Sequence, residues 1–164
     1  MSSSPGHLSP RSLPAPPLQH LCDLVVTVGP PITVGEGLCG VRRLVPITGG
    51  QVSGPGMRGR VLPVGADFQS VADGTTAQLD ARYVLALDDG ALIYVHNQAL
   101  RHASAPITAA LARGEAVPAD AVYFRGQPRF ETGAAPWSWL STRQFIAAGE
   151  RTPDAVYLSI WQVL

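Results

Sequence analysis

Lysine is missing from this 164-residue chain: all twelve basic residues are arginine, set against twelve aspartates and glutamates. Without lysine there is no Schiff-base catalysis and no P-loop lysine to hold a nucleotide. The balanced charge argues against a nucleic-acid partner, which would need an excess of positive charge. Asparagine occurs once, at Asn97. Together with the missing lysine, this suggests a bias against A-rich codons and a GC-rich bacterial genome. Two cysteines, Cys22 and Cys39, are too few for a disulfide scaffold, and each is expected to be a buried reduced thiol. No apolar run approaches the roughly 20 residues that span a bilayer, so no membrane partner is expected. Neither a secretory h-region nor a disulfide framework is visible, which makes the cytoplasm the expected location. No CxxC, zinc ligand set or cofactor fingerprint is present, so no metal and no cofactor are expected.

What is present is apolar. Hydrophobic residues make up 46% and charged ones 15%, enough to bury a core in one domain. Residues 1–20 are rich in proline and serine and offer no apolar periodicity, so they are expected to form a disordered tail ahead of a domain at 21–164. The rest is short β-rich runs punctuated by glycine, proline and Asp-Gly. Strands are expected at Leu21–Val28, Val41–Ile47, Arg58–Leu62, Ala66–Ala72, Ala77–Leu87, Ala91–Ala99, Ala121–Thr132, Thr142–Ala148 and Ala155–Val163. Pro30-Pro31 and the glycines from Gly49 to Gly56 interrupt them, and Asp88-Asp89-Gly90 makes a hairpin. Pro106–Gly114 is the one helix candidate. This pattern predicts an all-β fold, a single antiparallel barrel of about 8–10 strands with one short helix. A barrel is favoured because closure hides sheet edges.

Alternation along each strand sorts the polar residues. Asp80 and Arg82 lie opposite Leu79, Ala81, Tyr83, Leu85 and Leu87. Tyr123, Arg125, Gln127, Arg129 and Glu131 lie opposite Val122, Phe124 and Phe130. Leu92, Tyr94 and His96 oppose Ile93, Val95 and Asn97, while Asp67 and Gln69 oppose Ala66 and Phe68. These polar faces are either the wet outside of the barrel or a cluster within it. Their concentration of arginine, carboxylate and tyrosine suits a partly buried, hydrogen-bonded cluster around a ligand.

The segments PITGGQVSGPGMRGRVLPVGADFQ (46–69), DGTTAQLDARYVLALDDGALIYVHNQALR (73–101), YFRGQPRFETG (123–133) and WSWL with its following strand (137–146) resemble the uncharacterised bacterial and fungal family called domain of unknown function 3237, or uncharacterised protein family 0311. The resemblance spans about residues 20–164. It implies a compact, lipocalin-like β-barrel and no particular reaction. The family pattern often has Gly-Gly-Asp-Trp where this chain has Gly65-Ala66-Asp67-Phe68, and Leu-Asn where it has Leu140-Ser141.

The candidate site follows from chemistry. Asp67 and Glu131 are the candidate acid–base carboxylates, and Tyr94 could donate to a developing oxyanion. Arg82 and Arg125 could hold an anionic group, and Gln69, on the face of Asp67, is a further substrate-binding candidate. Trp137 and Trp139 could form an apolar lid or wall for a flat ligand, or equally pack into the core. His96 and His102 lack a third ligand, and no GxSxG elbow surrounds Ser138 or Ser141. The expected partner is a small apolar molecule bearing a carbonyl or carboxylate. Three roles stay open: a cofactor-free isomerase, cyclase or hydratase, a non-catalytic binding barrel, or a homo-oligomeric structural module.

Overall fold

The computed structural model describes residues 10–164. Ten strands form one antiparallel sheet: β1 (Leu18–Val28), β2 (Ile32–Gly37), β3 (Gly40–Ser53), β4 (Gly59–Val61), β5 (Ala66–Ala72), β6 (Thr76–Leu87), β7 (Leu92–His102), β8 (Tyr123–Glu131), β9 (Gln144–Arg151) and β10 (Ala155–Val163). The sheet closes because β1 pairs both β10 and β3. Between β3 and β6 one position of the ring is shared. β4 pairs Gly50–Val52 with Leu85–Leu87, and β5 pairs Val41–Pro46 with Arg82–Thr76. The result is a closed eight-strand barrel, in which β2 continues past β1 along the edge of β3.

Two sequence interruptions explain this geometry. Gly29-Pro30-Pro31 breaks the ladder, since proline donates no backbone hydrogen bond, and separates β1 from β2. β2 and the extension of β3 through Gly49-Gly50 are additions to the expected strands. Gly50, with φ +141°, lies so close to β1 that a Cβ would sit 1.9 Å from the Val25 carbonyl oxygen. Glycine there permits two strands to approach rather than ending one.

Leu79, Tyr83, Leu85, Ile93, Val95 and Phe130 turn inward and pack with Leu24 and Ile160 into one core. The core explains the outer placement of their neighbours: once the apolar parity of a strand fills the barrel, the other parity faces water.

The helix α1 spans Ala105–Ala112, with Pro106 in its first turn and Gly114, φ +75°, just past its end. None of its residues is fully buried. A second helical segment, of 3-10 type, occupies Ala135–Thr142 where only a run of tryptophans stood out in the sequence. Pro136 in its first turn fixes φ, and Leu140 buries against the core.

Strand β1 begins at Leu18, so Leu18–His20 of the expected tail pair with Trp161–Val163 of β10. Residues 10–17 carry no regular structure and are exposed, and residues 1–9 lie outside the described residues. Cys22 is buried and free, its thiol pushed up to about 12 by burial. Cys39 differs from expectation: it is exposed, because it sits in the turn between β2 and β3 rather than in a core strand. No described helix is long and apolar enough to cross a membrane.

Candidate functional site

Asp67 and Gln69 project inward from β5, onto the same side as Leu79, Ala81 and Tyr83 of β6. Gly65 sets up this placement. Its φ is +95°, and a Cβ there would lie 1.9 Å from the Arg82 carbonyl oxygen. Only glycine permits the chain to enter β5 so close to β6.

Gln69 is 1% exposed and bridges two charges. Arg43 Nε donates to its Oε1 at 2.7 Å, and its Nε2 donates to Asp67 Oδ2 at 2.6 Å. Because arginine can only donate, the amide oxygen must face Arg43 and its NH2 must face Asp67. The backbone N–H of Asp80 donates to Asp67 Oδ1 at 3.1 Å. Burial pushes the Asp67 carboxyl above the usual range, and the Gln69 hydrogen bond and the Arg101 charge partly offset this.

Three arginines surround this relay: Arg43 on β3, Arg101 on β7 and Arg151 on β9. Arg101 is 9% exposed. Burial first, then the positive charges of Arg151 and Arg43, bring its guanidinium down to about 10. Arg43 and Arg151 are lowered by burial as well. Among the described residues, no carboxylate lies within 4 Å of any of the three. One buried cation, Arg101, and two half-buried ones, Arg43 and Arg151, therefore share one carboxylate, Asp67, through charge alone. That is the composition of an anion site.

A cavity of about 40 Å³ lies beside Asp67, Gln69, Asn97, Arg101 and Arg151, with walls of Val45, Leu79 and Phe124. Two buried polar atoms of cavity-lining residues have no hydrogen-bond partner, the Tyr83 hydroxyl and Asn97 Oδ1. A second pocket, of about 390 Å³, shares Arg101 and Arg151 with this cavity and is lined by Arg43 as well. Thr108, Leu111 and Ala112 of α1 form one side of it.

The remaining candidates lie elsewhere. Tyr94, Glu131, Arg82 and Arg125 sit on the outer face, a correction to the reading of their polar strand faces as a buried cluster. The reason is parity: Tyr83, Val95, Phe124 and Phe130 take the inside. Arg82 Nε donates to Asp80 Oδ1 at 3.0 Å, and His96 Nε2 lies 2.9 Å from the same oxygen. The Arg82 hydrogen bond holds the Asp80 carboxyl below the usual range. Arg125 stacks on Tyr123, with its guanidinium carbon 5.4 Å from the ring centroid. Both border an outer groove that Phe68, Leu100 and Ile146 also line.

Trp137 and Trp139 belong to the 3-10 segment. Trp137 Nε1 donates to Asp89 Oδ2 at 2.7 Å, which ties it to the β6–β7 hairpin at the barrel end away from Arg101. Trp139 packs 6.2 Å from the Phe145 ring. Among the described residues, no three His, Cys, Asp or Glu side chains come together as a metal site would need.

Arg43, Arg101, Arg151, Asn97 and Tyr83 are interior residues that the sequence reading did not select. A signal existed. Arg43 shares the parity of Val45 and Ile47, Arg101 that of Ile93 and Val95, and Arg151 that of Phe145 and Ala147. An arginine on the apolar parity of its strand points where the core is.

Comparisons with known proteins agree with this barrel. A UPF0311 protein of Rhodopseudomonas palustris is 39% identical over 146 residues, covering 89% of this chain and 95% of that protein. A crystal structure of a β-barrel like protein from Acinetobacter baumannii superimposes with a TM-score of 0.79 at 35% identity, covering 93% of this chain and all of that one. A hydroalkoxylation enzyme of Penicillium herquei, phnH, is 28% identical over 153 residues, covering 93% of this chain and 87% of that protein. An enzyme structure from the same fungus has a TM-score of 0.70 at 22% identity, covering 96% of this chain and all of that one, a likeness of fold. Residues 16–163 match the family described as "Protein of unknown function (DUF3237)", and to that family this chain belongs.

Proposed function

We propose that this protein is a cofactor-free proton-transfer catalyst acting on a small molecule that bears a carbonyl or an acidic hydroxyl. The observation that carries this reading is Asp67, a carboxylate held by Gln69 and the Asp80 amide beside the buried Arg101 and the half-buried Arg43 and Arg151. Asp67 takes a proton from a C–H or O–H of the substrate. From a C–H beside the carbonyl the electron pair moves onto the carbonyl oxygen, and from an enolic O–H it stays on that oxygen; in both cases the negative charge faces Arg101 and Arg151. The carboxyl then returns the proton to carbon. Burial raises the proton affinity of Asp67 toward that of its substrate, which is what a carboxylate base needs. The guanidiniums supply fixed positive charge in a site shielded from bulk water.

Isomerisation, cyclisation and hydration all need these two parts. So does hydroalkoxylation, the reaction in the name of the fungal relative, which adds an O–H across a carbon–carbon double bond. That name supports the class of chemistry and leaves the substrate open.

The test is incubation of wild type and Asp67→Asn with a small-molecule extract of a bacterial culture in deuterium oxide. Mass spectrometry then follows both consumption and deuterium uptake. A metabolite consumed, or gaining one mass unit, with wild type and spared by Asp67→Asn supports catalysis. A compound carried unchanged by both proteins replaces this reading with a binding barrel.

A further inference from the structure

We propose that the ligand binds head first: a single carboxylate or enolate lodges among Arg43, Arg101 and Arg151, and an uncharged, largely apolar body stays in the pocket beside α1. This rests on the reading of the barrel interior as the reactive site and adds the class and orientation of its ligand.

Volume sets the orientation. The inner cavity of about 40 Å³ holds a few water-sized groups at most, whereas the outer pocket of about 390 Å³ holds a ring system or a branched chain. The two spaces meet at Arg101 and Arg151, which line both. Only the head of a ligand can therefore pass the arginines, and that head arrives next to Asp67.

Charge sets the class of the head. Arg101 is nine-tenths buried, and among the described residues its guanidinium has no hydrogen-bond partner. With Asp67 ionised, the three arginines leave two positive charges unmatched. A planar anion with two oxygens can accept from two guanidiniums at once and offset one of those charges.

The walls set the class of the body. Val41, Val71, Ala77, Ala103, Leu111 and Pro153 supply most of the outer pocket, and threonine hydroxyls supply its remaining polarity. Apart from the three arginines, no charged side chain lines it. A second charge on the body would lose water without gaining a partner. Leu111 of α1 is half-buried against this space, which makes it the residue that sets how large a body fits.

Calorimetric titration of the full chain tests the proposal with naphthoate, naphthamide and acetate as probes. Naphthoate should bind wild type, acetate more weakly, and naphthamide, which keeps the body and lacks the charge, not measurably. Arg101→Gln should weaken naphthoate by at least about tenfold. Leu111→Trp should weaken naphthoate by about tenfold and leave acetate unchanged, as expected when a ring system is displaced from the pocket. Should Leu111→Trp fail to fold, Leu111→Ala serves instead, with a shift of preference from naphthoate toward a three-ring carboxylate.

Naphthamide binding as tightly as naphthoate would overturn the anionic head. Unchanged naphthoate affinity in both Leu111 variants would overturn the placement of the body. Failure of naphthoate and acetate alike to bind would overturn the whole proposal. Asp67→Asn should keep naphthoate binding, so a failed proton-transfer assay and a failed binding assay remain distinguishable.

Discussion

Two aspartate–arginine clusters lie on opposite faces of the same sheet, around β5 and β6. On the outside, Asp80 meets Arg82 directly at 3.0 Å, with side chains 33% and 49% exposed. Inside, Asp67 meets no arginine directly; Gln69 stands between it and Arg43. Water screens the outer pair, so its charges are satisfied and its carboxyl is lowered by the bond it accepts. Within the barrel, burial acts on every member, raising Asp67 and lowering Arg43, Arg101 and Arg151. The same residue types thus make an ordinary surface pair in one place and a charged, incompletely matched site in the other. An incomplete match is costly for stability and useful for binding.

The largest expected contrast is in activity. Asp67→Asn should lower turnover by about a hundred- to ten-thousand-fold, while Asp80→Asn should leave it within about threefold, as read by steady-state rates on whichever metabolite the extract identifies. Equal losses in both variants would erase the distinction between the clusters.

Backbone placement comes next. Gly65→Ala would put a methyl group 1.9 Å from the Arg82 carbonyl oxygen at a φ of +95°. It should cost about 2–5 kcal/mol in urea unfolding. Gly90→Ala, with positive φ and open space around it, should cost only about 1–2 kcal/mol.

Stability should move in the opposite sense at Arg101. Replacing this buried cation by methionine should stabilise the free protein by about 1–3 kcal/mol, a rise of roughly 2–10 °C in melting temperature, while anion binding is lost. Arg82→Met outside should change stability by less than about 1 kcal/mol.

The smallest effect is a pH dependence. The folded-state pKa of Asp67 lies above its ordinary value. Its favourable contribution is therefore complete below the unfolded pKa of about 3.9 and is lost as pH rises through the raised value. Asp67→Asn lacks this loss, so its melting temperature should gain on wild type between acidic and neutral pH. A constant difference across that range would place Asp67 in contact with bulk water.

Much of this was legible in the chain. Apolar runs and turn residues marked eight of the nine expected strands to within three residues at each end, and Asp88-Asp89-Gly90 marked the hairpin. Asp67 and Gln69 stood out because they share a parity opposite Phe68, and both lie inside. The 3-10 segment was obscured by its tryptophans, which read equally well as a wall or as core. Glu131 and Tyr94 attracted attention as polar members of amphipathic strands, yet such residues are what the wet face of a barrel carries.

The sequence by itself determined most of the strands, the all-β barrel class and the absence of lysine chemistry, because these depend on local alternation, turn residues and composition. Tertiary structure alone decided which charges are buried together. Arg43, Arg101 and Arg151 are 50 to 108 residues apart in the chain, and only closure of β3, β7 and β9 around one interior brings them to Asp67. Electrostatic work depends on distance and dielectric surroundings, and both are properties of the closed barrel.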